Sequence, residues 1–270
     1  MQATQPTRRA FLAGTLATGA ALTIPTTASA AAPVALFVAA HPDDETLSMG
    51  VTIAEHVAAG VDTHVLLLTR GQASSARAAI NGDYVSSWWR VRHTPAAEGY
   101  AALSADQFGA ARIGEAHRAL ACLGAVTVHE ANLPDGGLTQ WSAIDAIRGV
   151  ADLIAPTGRV YLKTHSAKVE NHPDHIAAGN AVGWLARYGD PARFPSPRYY
   201  ILPAYWADPR LVNVTEWWDQ PTNTGIRDRA INACRAYSAW APPTSYAVGY
   251  HSTATLFTKV AAAPKCLTHA

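Results

Sequence analysis

Cysteine is scarce in this chain. Three in 270 residues cannot form a disulfide framework, so a packed core has to hold the fold. Cys122 lies in the apolar helical run Ala119-Leu120-Ala121-Cys122-Leu123 and reads as a core residue. Cys234 and Cys266 are the candidates to pair in an oxidising compartment. Charge is scarce too: 15% of residues are charged, and 21 basic side chains face 20 acidic ones without runs of either sign. Nucleic-acid binding needs a basic excess or stripe, so that class of partner is excluded. No apolar stretch reaches the ~20 residues that span a bilayer, which excludes a stable membrane anchor. Internal repeats, low-complexity tracts and domain linkers are missing as well. With 49% hydrophobic residues the chain has the material for one full core and is neither disordered nor fibrous.

What is present begins with a processing signal. Thr7-Arg8-Arg9-Ala10-Phe11-Leu12 opens a weakly apolar stretch that Pro25 breaks, and Ala28-Ser29-Ala30 offers small residues for a signal peptidase. The paired arginines before Phe-Leu point to twin-arginine export, although Ala13 stands where a basic residue is usual. Residues 1–30 are therefore expected to be a signal peptide, and 31–270 the working domain of a secreted protein. Cleavage near Ala30 removes Arg8 and Arg9 and no acidic residue, so the net charge turns slightly negative.

Val34 to Ala40 is an unbroken apolar run, the signature of a strand buried on both faces. Residues 45–59 read as a helix, with Leu47, Val51, Ile53 and Val57 at helical spacing and Gly60 as the stop. The pattern predicts further strands over 63–69, 126–129 and 160–163, and further helices over 106–123, 141–154 and 175–187. Such alternation implies a single-domain α/β protein, a Rossmann-like three-layer αβα arrangement with a mostly parallel sheet. Two long stretches, 71–105 and 194–224, carry Trp88-Trp89-Arg90 and Tyr199, Tyr200, Tyr205, Trp206, Trp217 and Trp218. They read as walls of a site, or as aromatic packing over secondary cores.

The chemistry concentrates at two strand ends. Ala40-His41-Pro42-Asp43-Asp44-Glu45 follows the first strand directly. Imidazole and carboxylate together suit Zn²⁺ or a similar ion, whereas a helix cap accounts for neither His41 nor the second Asp. After the strand at Val160 the chain reads Glu170-Asn171-His172-Pro173-Asp174-His175, again opening a helix. In an open α/β sheet the strand ends share one crevice. His41, Asp44 and one of His172 and His175 would then supply three ligands and leave a position for water, the catalytic pattern. Asp174 either orients a ring or caps the helix. A nucleotide-dependent oxidoreductase would need a glycine-rich turn where His-Pro-Asp-Asp stands, and is excluded. On the residues alone, Arg112 reads as an ion-pair partner of Glu115, and Asp135 as a turn residue before Gly136-Gly137.

The two strand-end motifs resemble the PIG-L/LmbE family of zinc-dependent N-acetylglucosaminyl deacetylases, which includes the deacetylase of mycothiol biosynthesis. Its A-H-P-D-D-E and H-P-D-H signatures stand here unaltered. Arg112-Ile113-Gly114-Glu115 and Leu133-Pro134-Asp135-Gly136-Gly137-Leu138 match two less specific elements, and the resemblance runs from about Val34 to Val182. It implies that His41, Asp44 and His175 bind one Zn²⁺ per chain, with Fe²⁺ as the alternative metal. Asp43 would be the general base, and His172, if protonated, would stabilise the oxyanion. Arg112 and Asp135 would bind sugar hydroxyls, with Arg70 a further candidate. One departure stands out: Glu170 occupies the place, two residues before His172, where some members carry a tyrosine that assists the oxyanion. Tyr246 and Tyr250 are the candidates to replace it. The implied function is a secreted hydrolase that removes acetyl from an N-acetylated amino sugar, in cell-wall glycan, exopolysaccharide or a glycosylated metabolite. The competing readings are a non-catalytic carbohydrate-binding protein and a zinc amidase acting on a non-sugar amide. Asp43 argues against the first, because binding needs no general base.

Overall fold

The computed structural model describes residues 33–270. The twin-arginine segment with Arg8, Arg9 and the expected cleavage site at Ala30 lies outside the described residues. The chain runs β1 (Val34–Ala39), α1 (Asp44–Ala58), β2 (Asp62–Thr69), α2 (Ala76–Ile80), α3 (Ala105–Leu123), β3 (Thr127–Leu133), α4 (Gln140–Ile154), β4 (Val160–His165), α5 (Pro173–Trp184) and β5 (Arg198–Ile201). It continues with β6 (Glu216–Asp219), α6 (Thr224–Ala236), β7 (Trp240–Ala241), β8 (Ser245–Tyr246), α7 (Val248–Ala262) and β9 (Cys266–His269). Seven strands form one sheet in the order β3-β2-β1-β4-β5-β9-β6, and β7 and β8 form a separate hairpin. Strands β1 to β5 are mutually parallel, and β9 pairs antiparallel to both β5 and β6.

β1 is buried along its whole length because it is central and covered on both sides. Successive side chains point to opposite faces. Ala35, Phe37 and Ala39 therefore pack with α1, α3, α6 and α7, while Val34, Leu36 and Val38 pack with α4 and α5. This is the expected three-layer αβα architecture. Cys234 and Cys266 are both buried in the first of these cores as free thiols rather than a bonded pair, and Cys122 packs against the same core. No helix among the described residues is long and apolar enough to cross a membrane.

The differences from the pattern-based reading have local causes. β3 runs on to Leu133, beyond the predicted His129; it is an edge strand with no buried position, so its end carries no apolar pattern. Its Glu130 and Asn132 therefore do not read as strand. β4 likewise continues through Thr164 and His165, polar residues that are nonetheless fully buried. The stretch 194–224 is not one loop. It contributes β5 and β6, so Tyr199, Tyr200, Trp217 and Trp218 are sheet residues, and only four residues long in each strand. Such short strands carry too little period for a sequence to announce them.

Where α5 crosses β4 there is no room for a side chain. A Cβ on Gly179 would come within 2.7 Å of the His165 carbonyl oxygen and 2.9 Å of the Ala167 nitrogen, both backbone atoms. Gly179→Ala is expected to lower unfolding free energy by about 1–3 kcal/mol through overpacking. Exposed Gly149 in α4 meets nothing within 4 Å, so Gly149→Ala should raise it by about 0.5–1 kcal/mol. Urea titration of both variants checks the pair.

Candidate metal centre and active site

β1 and β4 are adjacent, with Val34 in register with Val160. From β1 the chain builds one side of the sheet through β2 and β3, then returns to build the other through β4 and β5. The loops that leave β1 and β4 therefore open onto one crevice at the strand ends, the usual ligand position in such sheets. His41 and Asp43 come from the first loop and Asp44 from the start of α1, His172 precedes α5 and His175 lies in its first turn, and all five line a single cavity of about 410 Å³.

Within it, His41 Nδ1 lies 3.1 Å from His175 Nε2, and each of these atoms lies 3.2 Å from Asp44 Oδ2. Ligands held ~2.0–2.1 Å from a tetrahedral ion stand roughly 3.3–3.4 Å apart, so this triangle is close to one face of such a coordination shell. The opposite nitrogens point the same way. His41 Nε2 is 3.2 Å from Asp174 Oδ2 and 3.3 Å from Asp135 Oδ1. His175 Nδ1 donates to Glu170 Oε2. Carboxylates on the outer nitrogens keep protons there and leave the inner nitrogens as lone-pair donors, the tautomer a metal requires. The donor set of two imidazoles and one carboxylate suits Zn²⁺ or Fe²⁺.

Glu170 thus stands behind His175, not over the cavity. Its other oxygen accepts the Leu202 amide at 2.9 Å. Burial works against the Glu170 carboxylate, but the neighbouring His165 and His175 rings outweigh it and hold its pKa at about 2. His165, at the end of β4, accepts the Ala40 amide on Nε2 at 3.1 Å and stacks its ring on His175 at 4.1 Å. Neither role had a sequence signal beyond an acid two residues ahead of His-Pro.

Asp43 has a positive φ of 130°, a conformation of which few non-glycine residues are capable without strain. Neither Asp43 nor Asp44 caps α1; instead Glu45 folds back to accept the Asp43 amide at 2.9 Å. The Asp43 carboxylate is left for Arg112, whose Nη2 donates to Asp43 Oδ2 and to the Pro42 carbonyl, each at 2.8 Å. Arg112 Nη1 donates to the Gly71 carbonyl at 2.9 Å. Burial pushes the Asp43 carboxyl up to about 6, with the Arg112 charge pulling the other way.

Arg112 lines the cavity, yet these bonds commit it to Asp43 and the loop backbone rather than to Glu115. Glu115 accepts the Val248 and Gly249 amides at the start of α7. Asp135 also lines the cavity, with Oδ2 accepting the Ala73 amide and Oδ1 facing His41. Asp174 clips this turn in place by accepting the Gly136 and Leu138 amides. His172 is the exposed N-cap of α5, and its Nδ1 accepts the Asp174 amide, which leaves the ring proton on Nε2. Burial and the neighbouring His41 and His175 lower its pKa. Arg70, Tyr246 and Tyr250 do not line the cavity. Tyr246 packs on Tyr100, and Tyr250 stacks on Phe257.

Residues 36–185 match the profile of the PIG-L family, described as GlcNAc-PI de-N-acetylase. The 1D-myo-inositol 2-acetamido-2-deoxy-alpha-D-glucopyranoside deacetylase of Rhodococcus opacus is 30% identical over 190 residues, covering 63% of this chain and 60% of that one. Its namesake from Rhodococcus jostii is 43% identical over 90 residues, covering 33% and 25%. The matched stretches thus span 60% or less of these relatives' length. A crystal structure of a deacetylase triple mutant from the teicoplanin biosynthetic pathway shares the fold, with TM-score 0.59 and 19% identity over 87% of this chain and 96% of that one.

Because Glu170 fixes the ring of His175, Glu170→Gln is expected to weaken Zn²⁺ binding about 10–100-fold without unfolding the protein. Competition against a chromophoric chelator, with circular dichroism as the control for folding, measures this.

Proposed function

This chain belongs to the PIG-L family, and from that premise we propose that it is a secreted, zinc-dependent hydrolase that removes the acetyl group from an N-acetylated amino sugar. The observation that carries the reading is the triangle of His41 Nδ1, Asp44 Oδ2 and His175 Nε2, with the Asp43 carboxylate beside it on Arg112. The His–Asp–His donor set fits Zn²⁺, with Fe²⁺ as the alternative occupant. A divalent ion held by these three side chains supplies Lewis acidity, which acidifies water and polarises an acyl oxygen.

The chain's own residues do the rest. Asp43 accepts a proton from the attacking water and returns it to the departing amine, so the amide and water leave as amine and acetic acid, which ionises to acetate. A carboxyl poised near 6 is ionised at neutral pH yet basic enough for this transfer. Arg112 holds the Asp43 carboxylate in position, as its bond to that group indicates. His172 presents Nε2–H at the cavity mouth, where it donates to the oxygen that gains charge as the carbonyl is attacked. Asp135 and Arg112 border the space that the sugar would fill. A binding protein has no use for a strained, buried carboxylate beside three metal ligands, which favours catalysis over carbohydrate binding.

Export through the twin-arginine segment would place this activity on extracellular or cell-surface glycans. N-terminal sequencing of protein recovered from the medium is expected to begin at Ala31.

Asp43→Asn is expected to lower kcat about 10²–10⁴-fold while the protein still binds Zn²⁺. The measurement is acetate release from a panel of N-acetylglucosamine conjugates, with metal analysis and chelation of the same preparations. Absence of both bound metal and a chelator effect would overturn the reading.

A further inference from the structure

A cavity of about 970 Å³, larger than the one that holds the His–Asp cluster, opens elsewhere on the molecule, and the two have no lining residue in common. α5 serves both. Its N-cap His172 and its His175 belong to the metal centre, while Gly179, Asn180, Gly183 and Trp184 line the second space. At ~1.5 Å per residue, Gly183 lies about 12 Å along the helix from His175. α5 then passes directly into a π-helical turn, Leu185–Gly189, which brings Arg187 and Tyr188 to the same cavity. Turns of this kind recur at functional sites.

Three cations line this space, Lys168, Arg187 and Arg198, and no acidic side chain does; the one anionic group on its wall is the α-carboxylate of Ala270. Among the described residues the ion pairs of arginine belong to Arg112, Arg193 and Arg210, and none involves a lysine. The three charges at the cavity are therefore without a carboxylate partner. Two of the groups around them are braced. The Arg198 guanidinium rests on the Trp217 ring, 4.6 Å from its centroid, which covers one face and leaves the in-plane N–H groups open. Tyr199 stacks on His269 at 5.1 Å and 19°, and His269 Nε2 lies 2.7 Å from Ser166 Oγ. A Cβ on Gly183 would come within 3.2 Å of the Tyr199 hydroxyl, so the glycine keeps that group clear.

We propose that this cavity is a binding site for a polyvalent oxyanion, a small molecule that carries two or three negative charges on carboxylate or phosphate groups. A cleft lined by one sign of charge concentrates ions of the other, and like charges gathered without partners favour an occupant that neutralises them. Arg187 and Arg198 carry forked donors that match either oxyanion, and Lys168 adds a point charge. Asn180 and the Tyr199 hydroxyl supply neutral hydrogen-bond donors on the same wall. The volume falls in the ~300–1,000 Å³ range of small-molecule sites. The inference stands apart from the deacetylase reading, because none of these residues belongs to the metal centre.

The test is isothermal titration calorimetry on the full Zn²⁺-loaded chain at constant ionic strength. The probes are benzene-1,3,5-tricarboxylate and inorganic phosphate, with benzoate as the monovalent control. The tricarboxylate or phosphate should bind once per chain with Kd at or below about 1 mM, roughly tenfold tighter than benzoate. The tighter of the two identifies the oxyanion that the site takes. Arg198→Gln and Lys168→Gln, at exposed positions, should each weaken binding about fivefold or more. Asn180→Trp, also exposed, should abolish it by filling the cavity, and circular dichroism controls for folding in every variant. Asp44→Ala, which removes a metal ligand, should leave it unchanged. No saturable binding of either probe, binding that the three cavity substitutions leave unmoved, or binding lost in Asp44→Ala overturns the site.

Discussion

Everything at the crevice depends on one electrostatic arrangement: buried imidazoles whose outer nitrogens are held by carboxylates. His41 leans on Asp174 and Asp135, and His175 on Glu170, so that their inner nitrogens converge with Asp44. An unpaired charge at such depth is costly, and each ring would turn or change tautomer without its partner. The acids come from two separate connections. Asp135 follows β3, Glu170 and Asp174 follow β4, and their meeting requires the whole parallel sheet to be in register. The site is a consequence of the fold at long range and not a local motif that the fold happens to carry.

A second constraint links backbone strain to chemistry. The left-handed side of the φ map is unfavourable for Asp43 by roughly 1–3 kcal/mol, and surrounding bonds must hold it there. Arg112 provides them, through the Pro42 and Gly71 carbonyls and the carboxylate itself. Gly71 makes the approach feasible, because a Cβ there would lie 2.2 Å from Arg112 Nη1. α3 therefore reaches across to the loop after β1 and fixes the group that the proposed reaction needs. Glu115, one turn further along the same helix, holds the start of α7. A single helix thus sets both the Asp43 carboxylate and one wall of the cavity.

Much of this was legible beforehand, and the parts that were not have a common cause. β1, α1 and β2 read clearly because they are long, central and strongly patterned. β5, β6 and β9 were missed because four-residue strands contain barely two repeats of the β period. His41, Asp43, Asp44, His172 and His175 stood out as polar groups at the ends of apolar strands, and the structure brings all five to one cavity. Arg112 was noticed for a helix-face pairing or a sugar contact, but its position against Asp43 depends on how α3 packs over the β2 loop. His165 gave no sign at all, since a histidine at a strand end has no local pattern that says it is buried.

By itself, then, the sequence determined the alternation of strands and helices, the absence of an anchor-length apolar run, and the kinds of side chain available for chemistry. These are local properties, written in composition and period. Tertiary structure decided which nitrogen of each ring faces inward, which acid stands behind it, and where Arg112 spends its donors. Those choices are made by pairs far apart in the chain, such as His41 with Asp174 and Arg112 with Asp43. Hydrogen-bond partners at that separation are fixed only when the sheet closes and removes water from between them.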